Sequence, residues 1–356
     1  MGRSQRRGEL RLAQARDGVR PLLGPQSVSV VLTNACNLNC ITCWSYSPLR
    51  LERPTVEWTR RRLDRSLLKP LFADLAELRV ERVIFTGGGD PLAHPDFLEI
   101  AGDAKAAGLR VTLISNLTLL RDRAAFLGLK LDTIQANFSC ADTETYVAFH
   151  PNRTASDFER LLDTLRAISA AGSDLKLVFV VCRTNVHVLE RLLEIASELR
   201  ASVQLKLMSA GPDTRSLLLT DGQRDEVQAA RPHLVAKAVV LGVRVNLDAF
   251  FAALGGETVE SFPIETVGCH AGHYYARIDA QGAVRYCCNP VSELRLGSLH
   301  EASFAELWWS ERWQALREQL HAGHYLPGCD RCGKFDLNLR VATQIHNSAQ
   351  DLIQVP

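Results

Sequence analysis

Cys36, Cys40 and Cys43 stand in the run Thr33-Asn-Ala-Cys-Asn-Leu-Asn-Cys-Ile-Thr-Cys-Trp44, a C-x3-C-x2-C spacing just beyond the first strand-like stretch. Three thiolates leave one metal position open. Structural zinc wants four closed ligands and a disulfide framework wants pairs, so an odd, tight triplet favours a cubane iron–sulfur cluster with one iron free. After the second strand-like run comes Thr86-Gly87-Gly88-Gly89-Asp90-Pro91. Its glycines let the backbone turn tightly and present N–H and C=O groups to a ligand. Near the other end, Cys269, Gly282, Cys287-Cys288 and Cys329-Asp330-Arg331-Cys332 give the spacings C-x12-G-x4-C and C-x2-C. Spacing alone would also suit a zinc ribbon there.

Together these motifs resemble the radical S-adenosylmethionine (radical SAM) superfamily. The resemblance implies that Cys36, Cys40 and Cys43 hold a [4Fe–4S] cluster whose free iron chelates S-adenosylmethionine (SAM), and that one-electron reduction yields a 5′-deoxyadenosyl radical. The glycine loop is similar to the family's Gly-Gly-Glu-Pro motif, so the backbone of Gly87, Gly88, Gly89 and Asp90 is expected at the cofactor's amino group. Asp90 shortens the usual acidic side chain. Thr42 departs from the aromatic residue usual before the third cysteine, and Trp44 could substitute from the next position. Asn116, Ser139 and Asn185, at the ends of the third, fourth and fifth strand-like runs, fall where the family places polar contacts to the cofactor; each is otherwise an ordinary turn-former or cap. The C-terminal cysteines, with Ile278 to Val284 and Leu296 to Leu299 between them, resemble a SPASM/twitch extension. That implies one auxiliary [4Fe–4S] cluster on Cys269, Cys287, Cys329 and Cys332. Cys288 is then left over as a buried thiol or a hydrogen-atom donor, and whether Cys287 or Cys288 is the ligand stays open. His270 and His273 are near enough in sequence to hydrogen-bond a sulfur.

Such a site must be carried by a rigid scaffold. From about residue 27 to 247, β-branched runs at 28–32, 80–85, 110–114, 133–139, 176–181 and 202–208 alternate with amphipathic stretches at 61–78, 97–107, 155–171 and 188–200. This alternation is the signature of βα units on a parallel sheet. Six strands fall short of a closed barrel, which matches the family's α/β partial (β/α)6 TIM-like barrel, with reactive loops at the C-terminal strand ends. The expected division is a basic N-terminal tail at 1–25, the barrel at 26–248, a linker at 249–268, a small twitch/SPASM-like cluster domain at 269–337 and a C-terminal tail at 338–356.

The 356 residues carry 41 Lys+Arg against 40 Asp+Glu, a formal charge of +1. That supplies no basic field for nucleic acid. No apolar stretch approaches the roughly 20 residues of a membrane span, and the N-terminus lacks the apolar core of an export signal. Ten cysteines without such a signal indicate thiols kept reduced for metals, hence a cytoplasmic location.

The chemistry implied is hydrogen abstraction from an unactivated carbon, beyond the reach of side-chain acids and bases. A C-x17-C spacing from Cys269 to Cys287 resembles that of the family's 2-deoxy-scyllo-inosamine dehydrogenase. With no extra N-terminal domain of the size that peptide-modifying relatives use to grip a leader, the expectation is a dehydrogenase for a small sugar-like or secondary-metabolite substrate, its electron leaving through the auxiliary cluster. The alternatives are an epimerase with a cysteine hydrogen donor, a peptide-modifying maturase and, in a different class, a non-catalytic iron–sulfur electron carrier. A flavodoxin- or ferredoxin-like reductant is the implied partner.

Overall fold

The six β-branched runs become six parallel strands: β1 (Ser27–Val31), β2 (Arg82–Thr86), β3 (Arg110–Ser115), β4 (Thr133–Asn137), β5 (Asp174–Val181) and β6 (Ser202–Leu207). The computed structural model describes residues 3–18, 21–256, 264–288, 294–329 and 332–353. Three more strands, β7 (Tyr275–Ile278), β8 (Ala283–Arg285) and β9 (Gly297–Ser298), complete one sheet in the order β6-β5-β4-β3-β2-β1-β7-β8-β9. β7 is parallel to β1, whereas β8 and β9 are antiparallel additions. The barrel is open, as six strands imply. The cysteine-rich region, however, extends the barrel sheet instead of standing apart from it.

Alternation along the strands sorts the two faces. Val28, Val30, Val83, Phe85, Val111 and Leu113 point outward into the core formed with the flanking helices, where Leu68, Leu71, Phe72 and Leu75 of the Arg65–Glu77 helix meet them. The opposite, concave face carries Thr112, Gln135, Asn137 and Gln204 among Ile84, Ile114 and Val178. Polar residues on that face leave room for a ligand where a closed barrel would be filled by branched apolar side chains.

Both expected tails are helices. Arg3–Asp17 and Phe335–Ile353 pack against each other at the N-terminal end of the barrel. Arg11 decides the first case: only 1% exposed, it pairs with Glu81 and donates to Gly24 O at 3.2 Å and Arg79 O at 2.8 Å. A buried guanidinium so satisfied anchors the helix, which its basic composition alone did not reveal. Within the expected linker, Leu247–Leu254 is a helix with Phe250 and Phe251 buried; residues 257–263 lie outside the described residues. The tryptophans lie on two helices, Phe304–Trp309 and Glu311–His321, separated because Ser310 caps the second. Trp308 and Trp313 are fully buried, and Trp308 Nε1 donates to Leu23 O at 3.1 Å, tying the C-terminal region to the start of the barrel. Among the described residues no helix is long and apolar enough to cross a membrane.

Candidate active site

The loop after β1 carries Cys36, Cys40 and Cys43 and is held from three sides. From β2's end, Gly89 N donates to Thr33 O at 3.2 Å and Asp90 N to Ala35 O at 2.8 Å. The glycines are demanded by this closeness: a Cβ at Gly89 would lie 2.0 Å from Ala35 O, and one at Gly88 would lie 2.4 Å from Asn34 Oδ1. From β3's end, Asn116 Nδ2 approaches Cys36 Sγ at 3.9 Å and donates to Asn37 Oδ1 at 3.2 Å. Beyond β4, Asn152 Nδ2 and Arg153 Nη2 both donate to Asn37 O, at 2.9 and 2.7 Å. Ile41 N reaches Phe149 O at 3.0 Å.

Asp90 works inward. Its buried carboxylate accepts from Ser115 Oγ at 2.9 Å, Asn116 N at 2.7 Å and Leu92 N at 2.9 Å, welding the glycine loop to β3. Burial pushes its pKa up and those donors oppose the shift. The glycine-loop backbone is thereby fixed while the Asp90 side chain is spent on the scaffold. Ser139 and Asn185 are joined to each other: Val180 N donates to Ser139 Oγ at 3.0 Å, and Asn185 Nδ2 donates to Ser139 O at 3.0 Å. Asn185 also closes the end of β5 by accepting from Cys182 N at 2.8 Å. Trp44 is 63% exposed and borders a cavity of about 350 Å³ with Thr42, Cys43, Pro212 and Asp213.

The sulfurs receive donors suited to thiolates. Leu38 N points at Cys36 Sγ (3.5 Å), while Ser45 N and Tyr46 N point at Cys43 Sγ (3.4 and 3.3 Å). Without a metal, burial pushes the Cys36 thiol up to about 11 and Cys40 higher still. Metal binding must therefore expel those protons. Among the described residues no three Cys, His, Asp or Glu side chains converge as a single ion would need. A cubane spreads its ligands over a larger body, and N–H groups aimed at the sulfurs are among the features that tune such clusters. The donor set fits it.

The second cysteine group surrounds Tyr286. Burial first, then the neighbouring thiols of Cys329, Cys287 and Cys269, push the Tyr286 hydroxyl up, and that hydroxyl lies 3.8 Å from Cys329 Sγ. Asn338 of the C-terminal helix donates to Cys332 Sγ at 3.5 Å and accepts from His270 N at 2.9 Å. The expected histidine donors are not the sulfur's partners here: His270 Nε2 meets Val267 O at 3.3 Å, and His273 is buried beside Arg317. Asn338, like Asn152 and Arg153, escaped sequence reading because it sits far along the chain in an unremarkable context. Cys288, like Cys287, borders a cavity of about 340 Å³ that Gly88 and Asn34 also line. A hydrogen bond with Cys287, aided by Lys334 and Arg277 against the effect of burial, holds its thiol below the usual range. Cys140 and Cys182 are buried, as apolar strands imply.

Residues 30–196 match the radical SAM superfamily, and residues 269–333 match SPASM, an iron–sulfur cluster-binding domain. The chain is a radical SAM enzyme with a C-terminal SPASM domain. It uses SAM and [4Fe–4S] clusters. Among relatives of this radical SAM enzyme, mycofactocin maturase MftC of Mycolicibacterium smegmatis is 28% identical over 89% of this chain and 78% of its own length. PqqA peptide cyclase of Rhodopseudomonas palustris is 28% identical over 86% and 79%. In fold, the chain is similar to Streptococcus suis SuiB bound to its precursor peptide SuiA, with a TM-score of 0.64, 13% identity and coverage of 88% of this chain and 71% of that one.

Proposed function

We propose that this radical SAM enzyme modifies a peptide. The observation that carries the reading is similarity along most of the chain to a maturase and a peptide cyclase. This favours the maturase alternative over the small sugar-like substrate suggested by the Cys269 to Cys287 spacing. In this reading Cys36, Cys40 and Cys43 hold the cluster with the open iron, and the Gly87 to Gly89 backbone positions SAM. Asn116 orients the Cys36 sulfur, while Ser139 and Asn185 shape the cofactor's surroundings from the ends of β4 and β5. Cys269, Cys287, Cys329 and Cys332 hold the auxiliary cluster. When bound, these groups supply a radical able to take a hydrogen atom from an unactivated carbon. The chain's own task is to fix the reacting carbon near that radical and keep water out.

Anaerobic reconstitution tests the reading in two steps. With dithionite and SAM the protein should release 5′-deoxyadenosine; an intact cluster without that product leaves only an electron carrier. Short peptides encoded beside its gene are then supplied as synthetic copies. A SAM-dependent mass change in one of them is the expected result. Conversion of sugars or aminocyclitols instead, with every such peptide unchanged, would return the substrate to the small-molecule class.

Cys288 supports a second reading, because its cavity is shared with Gly88. There it gives a hydrogen atom to the substrate radical and the outcome is epimerisation. Reaction in deuterated water should then label a substrate carbon, and Cys288→Ala should abolish the label while hydrogen abstraction continues.

A further inference from the structure

Among the described residues, the cavity of about 340 Å³ between the glycine loop and the SPASM strands is lined by four arginines, Arg61, Arg277, Arg285 and Arg295, by one carboxylate, Asp279, and by Cys287 and Cys288. Their placement follows from the sheet. β7 pairs with β1 so that Arg277 stands opposite Ser29, and β8 folds back so that Arg285 stands directly opposite Arg277 on the same face. Like charges facing each other across a ladder destabilise it. Asp279 is the acidic group of the same wall. It lies 3.5 Å from Arg285, and its other oxygen already accepts from Gln281 N and Ala283 N, both at 3.0 Å. No carboxylate among the described residues pairs with Arg277.

Arg61 closes the cavity from the barrel side. Its guanidinium donates to Gln281 Oε1 at 2.9 Å and meets Glu57 at 3.2 Å, which leaves its buried Nε without a partner among the described residues. Trp58 and Val31 supply an apolar wall. A cavity with cationic walls and a spare buried donor suits a planar carboxylate, which a guanidinium grips through paired hydrogen bonds.

We infer that this pocket binds a carboxylate of the substrate, so that the peptide modified here is acidic at or near the reacting residue. This rests on the peptide reading proposed above. A glutamate or aspartate side chain and a free C-terminus share the chemistry, and the test separates them.

The probe is a fluorescein-labelled octapeptide with two glutamates and a free C-terminus, titrated anaerobically into the cluster-loaded, SAM-bound enzyme and followed by polarisation. Three companions carry glutamine for glutamate, a C-terminal amide, or both. The acidic probe should bind about tenfold more tightly than the doubly neutral one, and the single replacements should show which carboxylate matters. Arg277→Gln, and independently the milder Arg61→Gln, should shrink that preference to about threefold or less while iron content and the spectral response to SAM persist. Arg312→Gln, an exposed arginine outside the pocket, should leave the preference intact.

Equal binding of acidic and neutral probes overturns the inference and leaves the peptide reading standing. Loss of the SAM response in Arg277→Gln overturns it in favour of the cofactor's own carboxylate, and loss of iron overturns it in favour of charge balance for the auxiliary cluster. Competition by free glutarate at the concentration at which the acidic peptide competes supports the carboxylate pocket but overturns the peptide reading.

Discussion

The Asp90 carboxylate accepts hydrogen bonds from one side-chain hydroxyl and two backbone N–H groups in a buried setting. Asp90→Ala strands those donors, at a cost of about 3 kcal/mol. A lowered thermal midpoint together with a weaker spectral response to SAM is the expected result; unchanged values in both would remove Asp90 from the scaffold of the site. Gly89→Ala tests closeness instead of hydrogen bonding. The added methyl would meet Ala35 O at 2.0 Å, so the cysteine loop must shift, and 5′-deoxyadenosine formation should fall by about 100-fold, the order of loss that a small misplacement causes. Near-normal formation would show that the two loops can part without consequence. Both residues were legible in the sequence because their motifs are short and local. Asn152, Arg153 and Asn338 were not, since each acts on a loop distant in sequence through a side chain common in any turn or helix.

Among the elements, the Thr143–Phe149 helix braces the cysteine loop through Phe149 O and ends at His150. Burial lowers the His150 pKa from its ordinary value to about 4, partly opposed by the bond between its Nδ1 and Tyr146 O. Above pH 6.5 the ring is neutral in both folded and unfolded chains and contributes no pH dependence. Between 6.5 and 4 the unfolded chain takes up a proton that the folded one refuses, so stability falls as the pH falls. The thermal midpoint of the wild type should therefore drop between pH 7 and pH 5, and His150→Gln should flatten the slope; parallel slopes would exclude the ring as its source. At this scale the sequence was read well for strands β1 to β6, whose β-branched runs announce them. Ser139 and Asn185 carry a structural tie that their motifs did not announce. Their positions suggested ligand contacts, and the structure turns their hydrogen bonds toward each other and the strand ends.

For the molecule as a whole, the terminal helices and the SPASM strands belong to the barrel's own stability. Arg11 is buried in a pair with Glu81, and removing one partner of such a pair costs about 3 kcal/mol. Arg11→Met should lower the thermal midpoint by several degrees while leaving the cysteine loops, at the far end of the strands, able to bind iron. Iron lost in proportion to stability would contradict that separation. Six arginines among the first twenty residues have the composition of a solvated segment; only the long-range contacts with Arg79 and Glu81, just before β2, reveal the anchor.

β1 is paired on one side by β2 and on the other by β7, whose first residue, Tyr275, stands opposite Ser27. A ribosome that has finished β6 therefore holds a nascent chain whose opening strand still has a bare edge. Bare edges invite pairing with the wrong neighbour. A version ending at residue 256 should accumulate as aggregates, even though all six early strands are present. The edge of β1 is covered only when β7 arrives, so the barrel strands and the later cysteine-rich strands complete one sheet together.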